Sequence, residues 1–315
     1  MKRFVLPSFA VLCLVLTAAA QEKYTLKYQH VPGQYEMVQE TVMDMTIGVS
    51  GTKATIPMKT VQTQYITLNV SEKQADGSQQ IAMEITRIAM NQTSSIMNLK
   101  YDSAAPDAAE SPLKAAGVAV GLKITATTDK DGKFIKVEGV DEFFEKLSNN
   151  PDYPKPVADM LKKQLTNESM TKTIDMSREI TPKQPVAVGE TWKSEGTSEL
   201  PMFGKVKANL DNTLKEVKTI DGRKVAVILS KSEILSEKPQ EIDTGNAGKM
   251  TFKTMNVESE STVLMDIASG WTTSTVSEIK MKIETAMEMN GKTLEQNMTG
   301  TGTTTVSVKP KTPAN

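Results

Sequence analysis

The sequence predicts an α+β fold that is mainly antiparallel β-sheet, with two related β units joined by a helical segment. Three observations predict it. Apolar and polar residues alternate over many windows, four dipeptides typical of tight turns lie between these windows, and helical periodicity is confined mostly to the middle of the chain. Together they favour paired strands over a bundle of helices.

The N-terminus has the pattern of a secretory signal. Lys2 and Arg3 precede a mostly apolar stretch, and small residues follow it up to Ala20 and Gln21. This order is typical of a cleaved signal peptide, so we expect cleavage between Ala20 and Gln21. A membrane anchor is disfavoured, because the apolar run is short and contains Pro7, whereas a spanning helix needs about 20 mostly apolar residues. The processed protein is therefore expected to be periplasmic or secreted and not membrane-spanning.

Composition excludes several kinds of chemistry. The single cysteine, Cys13, lies within the predicted signal, so the processed chain has no thiol for a disulfide, a nucleophile or a zinc site. His30 is the one histidine, and it stands in a predicted turn at residues 29–33, so we expect a solvated loop residue rather than a triad member. The 37 basic and 38 acidic residues leave no net field to attract nucleic acid. We predict no catalytic residue, no metal site, no cofactor and no nucleic-acid partner.

Two-residue periodicity marks the strands. At residues 43–49 every second side chain is apolar, which places four apolar side chains on one face of a strand and the intervening ones in water. Thr, Val and Ile are abundant in such windows, as strands prefer. Similar alternation recurs at residues 65–70, 81–85, 206–210, 225–229 and 279–283.

Four dipeptides indicate hairpin turns. Each tolerates the positive φ that tight hairpin turns need, and each is flanked by strand-like sequence. They are Asp76-Gly77, Asp131-Gly132, Asp221-Gly222 and Asn290-Gly291. The sequence therefore predicts four antiparallel hairpins.

Helical periodicity lies between residues 141 and 180. Asp141 is predicted to cap a helix over residues 142–147, and a second helix is predicted over residues 156–165. No flexible linker divides the chain, which favours one assembly over two separate cores. The predicted organisation is a signal at 1–20, a first β unit at 21–140, a helical connector at 141–180, a second β unit at 181–309 and a tail at 310–315.

The two β units resemble each other weakly. Three segments occur in the same order in both halves, which favours an internal duplication over chance similarity between β-rich sequences. The matched segments are Gly33-Gln34-Tyr35 with Gly189-Glu190-Thr191-Trp192, residues 70–83 with 217–227, and residues 128–134 with 265–271.

These segments give the chain a resemblance to a family of uncharacterised exported β-rich bacterial proteins and lipoproteins. The shared features are a glycine and an aromatic residue ahead of the first strands, and a late Asp-x-x-Gly element at residues 129–132, which has one more residue in its counterpart at 266–270. The resemblance implies two curved β units with a few helices on one side, loosely similar to the half-barrels of periplasmic lipoprotein carriers. It implies no activity. The chain lacks the cysteine that lipid-anchored members carry at the cleavage point.

Methionine is abundant, with 19 residues in the chain. Because its side chain is flexible and polarizable, a sheet face lined with it adapts to lipids or to varied apolar chains. The alternative is that the same side chains fill a core between sheet and helices. The candidates for an apolar ligand face are Met43, Met45, Met281, Met287 and Met289.

The sequence therefore predicts a non-catalytic exported binding protein for an apolar or lipid-like ligand, and not an enzyme. Two other functions stay open. One is a structural or interaction module of the cell envelope, whose partner is another envelope protein. The other is a hydrolase that uses a pair of its 38 acidic residues, which a cleft with facing carboxylates would reveal.

Overall fold

The structure is a computed structural model, and most of the chain after the predicted signal is described. The predicted cleavage site at Ala20 and most of the predicted helix over residues 156–165 lie outside the described part. No helix in that part is long and apolar enough to cross a membrane. The structure describes residues 21–49, 55–95, 97–149, 158–159, 162, 165–175, 178, 180–200, 204–236, 238–243, 249–289 and 292–311.

Strands dominate the described residues, which confirms a mainly antiparallel α+β fold. The helices are α1 (Val140–Ser148) and α2 (Asn167–Asp175), with 3-10 helices at Ala108–Glu110 and Lys114–Ala119. The strands are β1 (Lys23–Tyr24), β2 (Gly33–Val49), β3 (Thr55–Val70), β4 (Gln79–Ser94), β5 (Asn98–Asp102), β6 (Lys123–Thr128), β7 (Phe134–Glu138), β8 (Val186–Ala187), β9 (Thr191–Leu200), β10 (Gly204–Ile220), β11 (Arg223–Ser236), β12 (Gln240–Asp243), β13 (Lys249–Asp266), β14 (Thr272–Met289) and β15 (Lys292–Pro310).

One sheet holds 13 of these strands, and β1 and β8 pair separately. Its order is β7-β6-β4-β3-β2-β15-β14-β13-β11-β10-β9, with β5 on β4 and β12 on β13. Apart from β5 and β12, which lie off this path, neighbours in the sheet follow one another in sequence, except that β15 pairs with β2 over nearly its whole length. The first and last long strands therefore join two meanders into one continuous sheet.

The order of strands agrees with the weak internal repeat. Reading along the sheet, β7-β6-β4-β3-β2 is followed, after β15, by β14-β13-β11-β10-β9. The matched segments place β2, β3, β4, β6 and β7 opposite β9, β10, β11, β13 and β14, in the same direction. Duplication of one strand unit would produce both the sequence matches and this order.

The predicted hairpins are antiparallel pairs in the structure. The pairs β3–β4, β6–β7, β10–β11 and β14–β15 connect at the four predicted turns. At the β10–β11 turn, Asp221 has φ 50° and Gly222 has φ 76°, the two positive values that a tight hairpin turn requires. Asn290 and Gly291 lie outside the described residues, but Met289 and Lys292 pair on either side of them.

The sheet curls, because helix α2 contacts strands at both of its ends, β7 and β9. A flat sheet of eleven paired strands would span about 48 Å at about 4.8 Å per strand. The nine residues of α2 extend only about 14 Å. The two edges must therefore approach each other across this helix.

The core lies on one face of the sheet, at the end nearest the helices. One cluster combines strands β2 to β7 with α1, and includes Ile66, Val137 and Phe144. A second cluster on β10, β11 and β13 includes Leu214 and Ile228. Tyr28 of the N-terminal segment packs against both clusters, so this segment joins the two halves.

Helix α1 begins one residue earlier than its predicted cap. Its N-cap residue is Gly139, with φ 98°, and a Cβ there would overlap the carbonyl oxygen of Lys123. The prediction that Asp141 caps the helix is therefore wrong, because only glycine meets both requirements. The Asp141 carboxylate instead accepts hydrogen bonds from the backbone nitrogen and Nδ2 of Asn167, at 3.2 and 2.7 Å, and links α1 to α2.

Candidate ligand-binding face

One face of the sheet carries no charge across seven long strands. We define this uncharged face by strand register: every side chain that the pairing places on the core side of these strands is apolar, hydroxyl or amide. Its residues are the odd-numbered ones of 35–47, 255–265 and 275–287, and the even-numbered ones of 56–70, 206–214, 226–236 and 294–308.

The opposite face of the same strands carries the charges. A cavity of about 500 Å³ lies there, where six carboxylates outnumber two lysines. Lys231 Nζ lies 2.9 Å from Glu260 Oε1, and this hydrogen bond holds the pKa of Glu260 below its usual value. The charged residues that line the cavity are Asp44, Asp211, Glu233, Glu258, Glu260, Glu278, Lys231 and Lys280.

Strand pairing aligns a row of polar side chains across the uncharged face. We call this the polar row. Its hydroxyls partly pair with each other, since Thr41 Oγ1 lies 3.1 Å from Thr304 Oγ1 and Ser261 Oγ lies 2.8 Å from Ser277 Oγ. The row consists of Gln62, Thr41, Thr304, Ser277, Ser261, Ser230 and Asn212.

Asn212 is a buried member of the polar row. It is 1% exposed, and neither Oδ1 nor Nδ2 has a hydrogen-bond partner among the described residues. An unpaired buried amide costs about 1–3 kcal/mol, so this end of the row retains unused hydrogen-bonding capacity.

Two apolar rows lie farther from the helices. The first contains Met58, Met45, Gly300, Met281, Val257, Ile234 and Ala208, and the second contains Ile56, Ile47, Met298 and Ile283. No described helix packs on these rows, and their methionines belong to neither core cluster. Ile56 stays 40% exposed, and Leu294 on the same face is 42% exposed.

Two glycines of β15 give the methionines room to converge. A Cβ on Gly300 would lie 3.1 Å from Met45 Cγ and 3.4 Å from Met281 Cγ. A Cβ on Gly302 would overlap Met43 Sδ. Side chains from β2 and β14 therefore lie over β15 from both sides.

Three of the five predicted face residues thus come together, at Met43, Met45 and Met281. Met287 is on the same face, six residues farther along β14, where it pairs with Leu294. Met289 ends that strand opposite Lys292. The polar row was not predicted from the sequence, although a signal for it is present. Along each of these strands the charged residues occupy alternate positions, and the positions between them hold Ser, Thr and Gln together with Met and Ile.

His30 is buried, so the prediction of a solvated loop residue is wrong. The ring centroids of Tyr28, Phe134 and Trp271 lie 5.0, 5.4 and 5.9 Å from its own, edge to face. Burial, followed by the positive charge of Arg178, lowers the pKa of His30 to about 4, so the imidazole is neutral at pH 7. The aromatic neighbours come from distant parts of the chain, which the local turn signal does not reveal.

Fold and face together define a curved antiparallel-sheet protein with one extended uncharged surface. The chain belongs to the family described as "Family of unknown function (DUF6263)", whose profile matches residues 76–272. No curated protein sequence matches it.

Among solved structures, similarity to "Lipid-protein interactions in lipovitellin" has a TM-score of 0.45 at 8% identity and covers 90% of this chain. The chain spans only 26% of that lipovitellin chain. OpdQ of Pseudomonas aeruginosa gives 0.22 at 7% identity, over 89% of this chain and 100% of that one. A DUF1329 family protein from Desulfovibrio piger gives 0.12 at 10% identity, over 89% and 87%.

Proposed function

We propose that this protein is an exported, non-catalytic binding protein whose uncharged face holds a lipid-like ligand. The hydrocarbon chain lies over the apolar rows, and an uncharged polar head group lies along the polar row. The observation that carries this proposal is the lack of charge across seven strands on a face whose outer half no described helix covers.

Apolar burial supplies the driving force. Removing apolar surface from water contributes roughly 25 cal/mol per Å² on the side chains and on the ligand alike. The first apolar row crosses seven strands, about 29 Å at about 4.8 Å per strand, which accommodates an extended acyl chain. Methionine side chains adapt to such a chain without a fixed pocket shape.

The chemistry of the face selects the head group. A charged group on this face would lose hydration without gaining an opposite charge, which is costly. Hydroxyls such as Thr41 and Ser277 can both donate and accept hydrogen bonds, so they suit glycerol, sugar or alcohol groups. An uncharged amphiphile therefore matches both parts of the face.

A titration with a fluorescent monoacylglycerol tests the proposal. The test variant, Met281→Glu, puts a carboxylate among the apolar rows, and its matched control, Lys282→Glu, changes the next residue on the charged face. We expect the wild type and the control to bind, and Met281→Glu to bind at least about tenfold more weakly, a loss of 1.4 kcal/mol. Unchanged binding by Met281→Glu in a folded variant, confirmed by its thermal unfolding, would contradict the proposal.

A further inference from the structure

A second cavity lies where the two halves of the chain meet, away from the apolar rows. It has a volume of about 430 Å³. Its walls are the N-terminal segment at residues 25–30, the β6–β7 turn at residues 128–132, and residues 181–185. Because this cavity is separate from the uncharged face, the inference drawn from it does not depend on whether that face binds a lipid.

Cationic side chains predominate around this cavity. Four lysines at its mouth are exposed, and none forms an ion pair with a described carboxylate; Arg178 lies deeper. Among the described residues, two carboxylates line it, those of Asp129 and Asp131. The cationic residues are Lys27, Lys73, Lys130, Lys183 and Arg178.

The carboxylates near the cavity do not cancel the positive charge of these side chains. Asp129 Oδ1 accepts hydrogen bonds from the backbone nitrogens of Asp131 and Lys133, at 2.9 Å each, so it serves the turn. Arg178 Nη1 lies 3.2 Å from Asp175 Oδ1, but its Nε is buried without a hydrogen-bond partner among the described residues. The four lysines and Arg178 still carry five positive charges against three negative ones on Asp129, Asp131 and Asp175, so the surroundings of the cavity are net positive.

The floor is built from buried polar side chains. His30, Gln79 and Thr128 are 8%, 2% and 1% exposed. Gln79 Nε2 donates to the carbonyl oxygen of Ser71 at 2.7 Å, which fixes the amide. Both ring nitrogens of His30 lack a hydrogen-bond partner among the described residues.

The turns that form the mouth are fixed by close packing. A Cβ on Gly77 in the β3–β4 turn would lie 2.8 Å from Lys130 Cβ, so this turn packs against the base of that lysine. Arg178 Nη2 donates to the carbonyl oxygen of Asp131 at 3.3 Å. The cations therefore surround the opening before any ligand arrives, which lowers the ordering cost of binding.

We propose that this cavity binds a small soluble organic anion, such as a phosphate ester or a carboxylate. The lysines at the mouth attract the charge, Arg178 provides a planar donor near the floor, and the volume leaves room for an organic group beyond the anionic oxygens.

His30 provides the readout, because it is the one histidine in the chain and its ring gives a unique NMR signal. An anion in the cavity favours the imidazolium form, so phenyl phosphate is expected to raise the pKa of His30 by about one unit. The same titration is repeated with sodium chloride at matched ionic strength, and calorimetry measures the affinity.

A charge-matched pair of variants separates binding from general electrostatics. We expect Lys73→Gln with Lys130→Gln to weaken phenyl phosphate about tenfold or more, and Lys280→Gln with Lys282→Gln on the charged face of the sheet to leave it unchanged. An equal response to chloride, or equal losses in both double variants, would overturn the proposal. So would binding to phosphatidylglycerol vesicles without binding of phenyl phosphate, since the anion would then be a lipid head group.

Discussion

The two ends of the uncharged face share strands, register and periodicity, yet they differ in what lies against them. At the end nearest the helices, Leu214, Ile228 and Met265 are 0% exposed in a core that the N-terminal segment and residues 180–188 cover. At the other end, Met45 and Met281 are half-buried by their neighbours alone, with no described helix above them. Alternation therefore specifies which face of the sheet is apolar, whereas the residue composition of each end depends on what covers that end.

The composition changes accordingly along the face. The covered end uses mainly branched residues and aromatic rings, which pack in fixed rotamers against protein, with Met265 among them. The uncovered end adds several methionines and two glycines to its Ile and Val residues, and the polar row lies between the two ends. Flexible side chains suit a ligand that varies in shape. We therefore expect the covered end to contribute more to stability and the uncovered end more to binding.

The largest expected difference is in stability. Leu214→Ala should lower the free energy of unfolding by about 2–5 kcal/mol, because it leaves a cavity in a close-packed core. Met281→Ala should cost less than about 1 kcal/mol, since that side chain has no covering layer to lose. Urea unfolding of both variants checks this, and similar losses would mean that the outer half of the face is also core.

Acid should destabilise the covered end through His30. Its pKa is 6.5 in an unfolded chain and about 4 when folded, so the unfolded state binds more protons between these values. The contribution of the neutral His30 to the free energy of unfolding is therefore fully present above pH 6.5. It falls by about 3 kcal/mol as the pH drops from 6.5 to 4.

Urea unfolding at several pH values measures that loss, and His30→Phe should flatten the curve in this window. Asp102 titrates lower, because its hydrogen bonds from Arg87 reduce its pKa to about 2. Its contribution is lost only as the pH falls below 3.8, so the two effects separate. An unchanged slope in His30→Phe would contradict the assignment.

A substitution at Gly300 should affect binding more than stability. Gly300→Val places methyl groups where Met45 and Met281 converge, so acylglycerol affinity should fall about tenfold. The free energy of unfolding should fall by about 1 kcal/mol, because the flexible methionines yield and valine favours strands, while the carbonyl oxygen of Asp44, 3.2 Å from the added Cβ, must shift slightly. Thr299→Val, the preceding position on the charged face, is the control and should leave affinity unchanged.

The smallest expected effect comes from the polar row. Ser277→Ala removes the hydroxyl that lies 2.8 Å from Ser261 and should cost about 0.5–1.5 kcal/mol of stability. Its informative consequence is selectivity: the preference for monoacylglycerol over a plain hydrocarbon probe should decrease. Equal preference in wild type and variant would show that the row only ties strands together.

Sequence predicted the strands and hairpins well, because alternation and turn dipeptides are local. It did not predict that β15 pairs with β2, since that pairing joins residues about as far apart as the chain allows. The cap at Gly139 and the burial of His30 also depend on distant contacts, with Lys123 and with Trp271. Three methionines of the predicted face converge, but only the register reveals the glycines and the polar row between them.

Mass spectrometry of the protein recovered from its native host shows whether the uncharged face carries a lipid. We predict that an organic extract of the purified wild type contains an uncharged lipid, that Lys282→Glu retains it, and that Met281→Glu loses it. A wild-type extract free of lipid, or an equal lipid content in all three proteins, would contradict the claim that the uncharged face is a lipid-binding surface.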